Sequence, residues 1–142
     1  VLRRKDADGS VEAETVRPGV DATELAMVAL INGGTSSAAE IVTGALQDHE
    51  RATTVGATTF GAGTVLNEFT LSDGSVLLLA VEEWLTPDGR VIWQEGLPPD
   101  VMVALPDEAE PLVRPGQEEI TAAALRETRD VQFLRGLDLL RR

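Results

Sequence analysis

Ser36 and Ser37 follow Gly33-Gly34-Thr35 and stand at the head of the best helical pattern in the chain. A hydroxyl there sits where backbone amides and the helix dipole favour negative charge, which suits a nucleophile whose reaction passes through an oxyanion. The same place suits a helix cap, because Ser37 and Glu40 have the Ser-x-x-Glu spacing of a capping box. The Gly-x-Ser-x-Gly elbow of many hydrolases is absent, since Ala38 stands at its last glycine. A serine also needs a base to remove its proton. The single histidine, His49, lies twelve residues along the same helix, roughly 18 Å away at about 1.5 Å per residue. It reads as a solvent-facing helix end, as do Asp48 and Glu50. The single lysine, Lys5, belongs to the N-terminal stretch. Glu82 and Glu83 alternate across a strand and so do not form a paired-carboxylate site. Gly56-Ala57-Thr58-Thr59-Phe60-Gly61 has the glycine spacing of a phosphate-binding loop. Ala62 and Gly63, however, occupy the places of its lysine and hydroxyl.

The elements that must position these residues follow from pattern. Asp6-Ala7-Asp8-Gly9 reads as a hairpin turn, with Val11 to Val16 returning and Pro18-Gly19 ending the strand. The apolar run Leu25 to Ile31, stopped by Asn32-Gly33-Gly34, suggests a strand buried on both faces. Ala38, Ile41, Val42, Ala45 and Leu46 fall at helical spacing, with Glu40, Thr43, Gln47 and Glu50 on the other faces. Ala52 to Gly56 is a second short strand, which completes a βαβ unit and predicts a parallel sheet. Beyond the glycine-rich bend at Gly56 to Gly63, strands are expected at Val65 to Leu71, Ser75 to Leu85 and Arg90 to Trp93. They are separated by Ser72-Asp73-Gly74 and by the type I turn Thr86-Pro87-Asp88-Gly89. Two helices close the chain, Gln117 to Thr128 and then Asp130 (an N-cap) to Leu140, with Val131, Leu134 and Leu137 as the apolar stripe. Residues 105–119 are acidic and proline-bearing. The expected division is a core fragment at 1–105, a linker at 106–119 and a helical segment at 120–142. The fold class is α/β, a βαβ unit with a mixed sheet and C-terminal helices.

Composition narrows the chemistry. The 142 residues suit one domain of ordinary globular character, with 43% hydrophobic and 25% charged residues. Twelve basic against 24 acidic residues give a net charge of −12, which argues against nucleic acid or an anionic membrane surface as partner. The apolar runs Leu25 to Ile31 and Val76 to Val81 are far too short to span a membrane. With no cysteine, thiol nucleophiles, disulfides and thiolate metal sites are excluded. One histidine leaves no poly-histidine metal site, and no metal or cofactor is expected. The chain begins with valine, shows no signal-peptide pattern and reads as a piece of a longer protein.

The stretch Val28-Ala29-Leu30-Ile31-Asn32-Gly33-Gly34-Thr35-Ser36-Ser37-Ala38-Ala39-Glu40-Ile41-Val42, continuing through Ala45-Leu46-Gln47-Asp48-His49, resembles the C-terminal processing peptidases, or tail-specific proteases. Val55-Gly56 with Thr59-Phe60-Gly61-Ala62-Gly63-Thr64-Val65 fits that family's glycine segment. Thr86-Pro87-Asp88-Gly89-Arg90 and Gly96-Leu97-Pro98-Pro99-Asp100 fit two further motifs, and the likeness runs from about Val1 to Val103. The resemblance implies a crotonase- or Clp-protease-like core and a serine nucleophile at Ser37. It also implies a lysine base, at a position held here by Ala62, and a glutamine that positions the lysine, at a position held here by Leu66. Lys5 matches no catalytic position. The family's upstream oxyanion segment and peptide-binding PDZ module belong before Val1. The resemblance further implies a polypeptide substrate or C-terminal tail as partner and an extracytoplasmic location. Homodimerisation is expected from unpaired strand edges and exposed apolar faces. A serine-peptidase-family domain that is silent or active through an unrecognised base, a pseudo-peptidase that binds polypeptide termini or a partner enzyme, and a plain structural or oligomerisation domain all remain open.

Overall fold

The computed structural model describes residues 2–15, 19, 24–113 and 119–141. The Asp8-Gly9 signature makes its hairpin: β1 (Leu2–Asp6) runs antiparallel to β2 (Val11–Glu14). The Gly9 N–H closes the turn on the Asp6 carbonyl at 2.9 Å. Val16 and Pro18, at the expected end of the returning strand, lie outside the described residues. β1 pairs on its other side with β6 (Val76–Leu85), and β6 with β5 (Thr64–Thr70), giving an antiparallel sheet of order β2-β1-β6-β5. A second sheet is built on the anticipated βαβ unit of β3 (Val28–Ile31), α1 (Ala38–Asp48) and β4 (Thr53–Gly56), with β3 and β4 parallel. The two-residue strand β7 (Val101–Met102) extends it in the order β3-β4-β7. Helices α2 (Ala122–Glu127) and α3 (Val131–Leu140) follow, and α3 packs on β3 and β4. Asp130 caps α3 as expected, its carboxylate accepting from the Phe133 N–H at 2.9 Å.

Several expectations are corrected by packing. The strand expected from Leu25 begins only at Val28, and Leu25 is 68% exposed while Ile31 alone is buried. Among the described residues β3 pairs with β4 alone, which leaves its other edge without a strand to cover it. Residues 90–93 do not form a strand. After a single bridge between Leu85 and Val91 the backbone turns, with the Gly96 N–H on the Ile92 carbonyl at 2.9 Å and Gln94 at φ +62°. The helix expected from Gln117 is described only as α2, because residue 117 lies outside the described residues.

The helices also turn faces inward that hydropathy does not mark. In α1 the buried residues are Glu40, Thr43 and Gly44, while Val42 is 57% exposed. A methyl group on Gly44 would lie 2.6 Å from Thr86 Cγ2, so α1 approaches the Thr86 turn more closely than alanine permits. In α3 the buried residues are Gln132 and Gly136, and Val131 and Leu134 are exposed. Gln132 Nε2 donates to the Val103 carbonyl at 2.8 Å, and a Cβ on Gly136 would come within 3.3 Å of Val28 and Leu30. Small and polar residues make the closest contacts, so a count of apolar positions selects the wrong stripe. The buried apolar core of the described residues is compact: Ile31, Ala52, Val55, Leu85, Ile92 and Leu97.

Candidate active site

The loop after β3 is tied down by short-range hydrogen bonds that deliver Ser37 to the start of α1. Asn32 Oδ1 accepts from the Gly34 N–H at 2.8 Å, and Thr35 Oγ1 accepts from the Asn32 N–H at 3.1 Å. Ser37 is the N-cap, exposed, with φ +55° and ψ −124°. For a residue with a Cβ this backbone is strained and persists only where its surroundings hold it.

Glu40 supplies that hold. Its side chain is fully buried and collects four donors. Oε1 accepts from Thr59 Oγ1 (2.5 Å) and the Gly61 N–H (2.6 Å). Oε2 accepts from the Ser37 N–H (2.9 Å) and the Ala62 N–H (2.8 Å). The expected capping box is present, with the Glu40 carboxylate on the Ser37 amide, and the Glu40 amide also donates to the Ser37 backbone carbonyl at 2.9 Å. One carboxylate oxygen thus joins the head of α1 to residue 62, and the Phe60 N–H adds a second link to the Thr35 carbonyl at 2.9 Å.

The opposing loop is shaped by close backbone contacts. A Cβ on Gly63 would lie 2.7 Å from the Trp93 nitrogen, and Gly61 (φ +86°) packs against Gln94 and Gly96. Thr59 links both sides, since its hydroxyl donates to Glu40 and accepts from the Leu97 N–H at 2.8 Å. Ser37 and Ala62 therefore face a common anchor, and the side chain at 62 is a methyl group. Leu66 lies further along β5, opposite Ala80 and 53% exposed. Lys5 is engaged with Glu83 across the antiparallel sheet at 2.9 Å. His49 is the exposed C-cap of α1, at the far end from Ser37.

Glu40 has no acceptor site left with which to act as a base toward Ser37. A carboxylate offers about four acceptor sites, and here three amides and a hydroxyl fill them. Sequence reasoning caught Glu40 only as a cap. The signal for more was a carboxylate one turn into a helix that packs on a sheet, where an unpaired charge is not tolerated. Glu82 and Glu83 do point apart, toward Arg4 and Lys5 respectively.

Asp48 corrects the expectation of a solvated helix end. Its side chain is only 4% exposed and grips Arg90 through Nε at 3.0 Å and through Nη2, while accepting from the Asp88 N–H at 2.8 Å. Burial pushes its carboxyl up, but the Thr86 hydroxyl, the Asp88 amide and the Arg90 guanidinium outweigh it and hold it below the usual carboxylate range. Near the same end of α1, Asp100 Oδ2 accepts from both the amide and hydroxyl of Thr54 at 2.8 Å, and Gln47 Nε2 donates to that Thr54 hydroxyl at 2.8 Å. These clamps fix the Thr-Pro-Asp-Gly-Arg and Pro-Pro-Asp segments around α1 and β4. Among the described residues, no group of His, Cys, Asp or Glu side chains could hold a metal ion, and no helix is long and apolar enough to cross a membrane.

Comparison with known proteins places this arrangement. The model of peptidase family S41 matches residues 1–103. The carboxyl-terminal-processing protease of Synechocystis sp. is 42% identical over 132 residues, which is 93% of this chain and 28% of that protein. The carboxy-terminal processing protease CtpA of Bacillus subtilis is 46% identical over 82 residues, 58% of this chain and 18% of its own length. Among solved structures, the photosystem II D1 C-terminal processing protease superposes with a TM-score of 0.67 at 34% identity, over 74% of this chain and 28% of that one. The chain thus spans under a third of the length of these relatives. The family match covers both sheets and the loops that bring Ser37 and Ala62 together, and on that ground the chain belongs to peptidase family S41, the C-terminal processing serine proteases.

Proposed function

We propose that this chain is a polypeptide-binding domain of a C-terminal processing protease whose serine hydrolysis is disabled. The observation that carries this reading is the shared Glu40 oxygen: the Ser37 and Ala62 amides meet on it, and residue 62 brings no amine. A positioned base contributes on the order of a hundred- to ten-thousand-fold in rate, and Glu40 has no free acceptor site with which to replace it. Leu66 makes the neighbourhood less able to hold an ion. What persists is the head of α1 and the glycine-rich loop, a surface on which an extended peptide can lie without being cut. The names of the relatives support a polypeptide as ligand, and the resemblance supports work outside the cytoplasm. Exposed apolar residues on the hairpin of β5 and β6 support self-association.

A fluorophosphonate probe for activated serines tests the disabled centre. The expected result is no labelling at Ser37, together with retention of an unfolded reporter protein without cleavage. Labelling abolished by Ser37→Ala would establish the second reading, an active peptidase with a base from elsewhere. Failure to retain any unfolded polypeptide would leave a structural or oligomerisation module.

A further inference from the structure

A cleft of about 290 Å³ opens beside the end of the glycine loop. Its origin is local. The register of β5 and β6 shifts between Val65 and Leu66, a bulge that bends the hairpin away just where β1 ends at Asp6. The corner so formed is walled by Asp6 and Lys5, by Val81 and Glu83, by Thr64 and by the half-exposed Trp93. Lys5, Glu83 and Thr64 lie in one cross-strand row. The Trp93 backbone nitrogen lies against Gly63, and Thr64 in the cleft wall is two residues from Ala62, roughly 6–7 Å of extended chain.

From this geometry we propose that the cleft is a side-chain subsite for a lysine or arginine residue of a bound polypeptide. The inference rests on the reading of the chain as a polypeptide-binding domain. Its volume lies at the lower edge of the roughly 300–1,000 Å³ typical of small-molecule pockets, which suits a single side chain. Asp6, Glu82 and Glu83 against Lys5 leave the lining net negative. Glu82 is already engaged by Arg4 at 3.3 Å, and Asp6 accepts from Ser10 Oγ at 3.0 Å. Among the described residues Glu83 pairs with Lys5, at 2.9 Å, and both are partly open to solvent. A long cationic side chain lays its stem on Val81 and the indole and brings its charge to Glu83, where the Trp93 ring face adds a cation–π contact.

The test titrates the full chain with blocked unstructured peptides that carry lysine, norleucine or glutamate at one central position. The lysine peptide is expected to bind about tenfold more tightly than the other two. The preference should weaken at high salt and vanish in Trp93→Leu and in Glu83→Gln. Lys5→Met should raise it, because a competing cation is removed, and a merely damaged fold would not do that. Equal binding of all three peptides overturns the subsite while leaving polypeptide binding intact. So does a preference that survives both cleft substitutions, or tighter binding of the glutamate peptide through Lys5. Absence of binding by any peptide overturns both the subsite and the reading beneath it.

Discussion

Glu40 shows how one side chain can set the geometry of two loops. Replacing it with alanine strands the Thr59 hydroxyl and the amides of Gly61 and Ala62 in a buried space, and each such loss costs about 1–3 kcal/mol. Glu40→Ala is therefore expected to lower stability by roughly 3 kcal/mol or more in urea unfolding. Glu40→Gln should also destabilise, because its amide nitrogen would face donors. A variant within 0.5 kcal/mol of the parent, about the spread of neutral surface substitutions, would contradict the four-donor account. The same geometry bears on restoring a base. Ala62→Lys places an amine near Ser37, but a lysine acts as a base only when a partly dry pocket lowers its pKa and a neighbour fixes its direction. Leu66 is apolar and half-exposed, so it offers no hydrogen bond to fix it. The single variant of this chain is expected not to cleave an unstructured reporter protein. Leu66→Gln supplies such a neighbour, so cleavage by the pair Ala62→Lys and Leu66→Gln is expected to exceed that of the single variant and to be abolished by Ser37→Ala. Cleavage by the single variant, lost on Ser37→Ala, would refute the account of what is missing. The Ser-x-x-Glu spacing and the alanine at position 62 were legible as letters. That Glu40 also reaches residues 59, 61 and 62 depends on a contact some twenty residues away, which spacing does not encode.

At the scale of elements, α1 is clamped at its far end by Asp48 and Arg90, and the clamp has a pH signature. The Asp48 carboxyl is held lower in the fold than its value of about 3.9 in an unfolded chain. Its stabilisation is accordingly complete above that unfolded value and is lost as pH falls through the folded one. Asp8 and Asp73 shift in the same direction through Ser10 and Ser75 in exposed turns, so a comparison of variants is needed to isolate the clamp. Asp48→Asn should be less stable than the parent at pH 6, with the gap narrowing below about pH 4. Urea midpoints measured across that range check it, and a gap that widens in acid has the wrong sign. Gly44→Ala tests the close approach of α1 to the Thr86 turn. Overpacking of this kind costs about 1–3 kcal/mol, although alanine is the better helix former. The βαβ unit, both turns and the Asp130 cap were readable because local chemistry dictates them. The inward faces of α1 and α3 were not, because Gly44, Gly136, Glu40 and Gln132 are buried by proximity and hydrogen bonding rather than by hydropathy. Residues 90–93 misled through their β-branched pattern, and tertiary ties to Gly61 and Gly96 drew that backbone into a turn.

The whole molecule distributes protection unevenly between the two edges of its antiparallel sheet. β2 is short and carries Glu12 and Glu14, both within reach of Arg4, and charged edges of this kind resist pairing with another chain. β5 is the opposite edge. It is seven residues long with Glu68 as its single charge, and its hairpin partner β6 exposes Val76, Leu77, Leu78 and Leu79 on both faces. From Thr64 to Val81 there is no basic residue and only two acidic ones, Glu68 and Asp73, so the repulsion expected from a net charge of −12 is weakest there. An antiparallel pair of β5 strands centred on Asn67 would set Glu68 against Leu66 and Val65 against Phe69, with no like charges opposed. The chain is therefore expected to self-associate at tens of micromolar in ordinary salt. Phe69→Lys and Leu78→Lys together should shift it to monomer, whereas Val11→Lys on β2 should change little. Sedimentation velocity across a dilution series reads both effects. A clean monomer for the unmodified chain would rule out β5 as an active edge, and association that survives the paired lysines but not Val11→Lys would move the contact to the other side of the sheet.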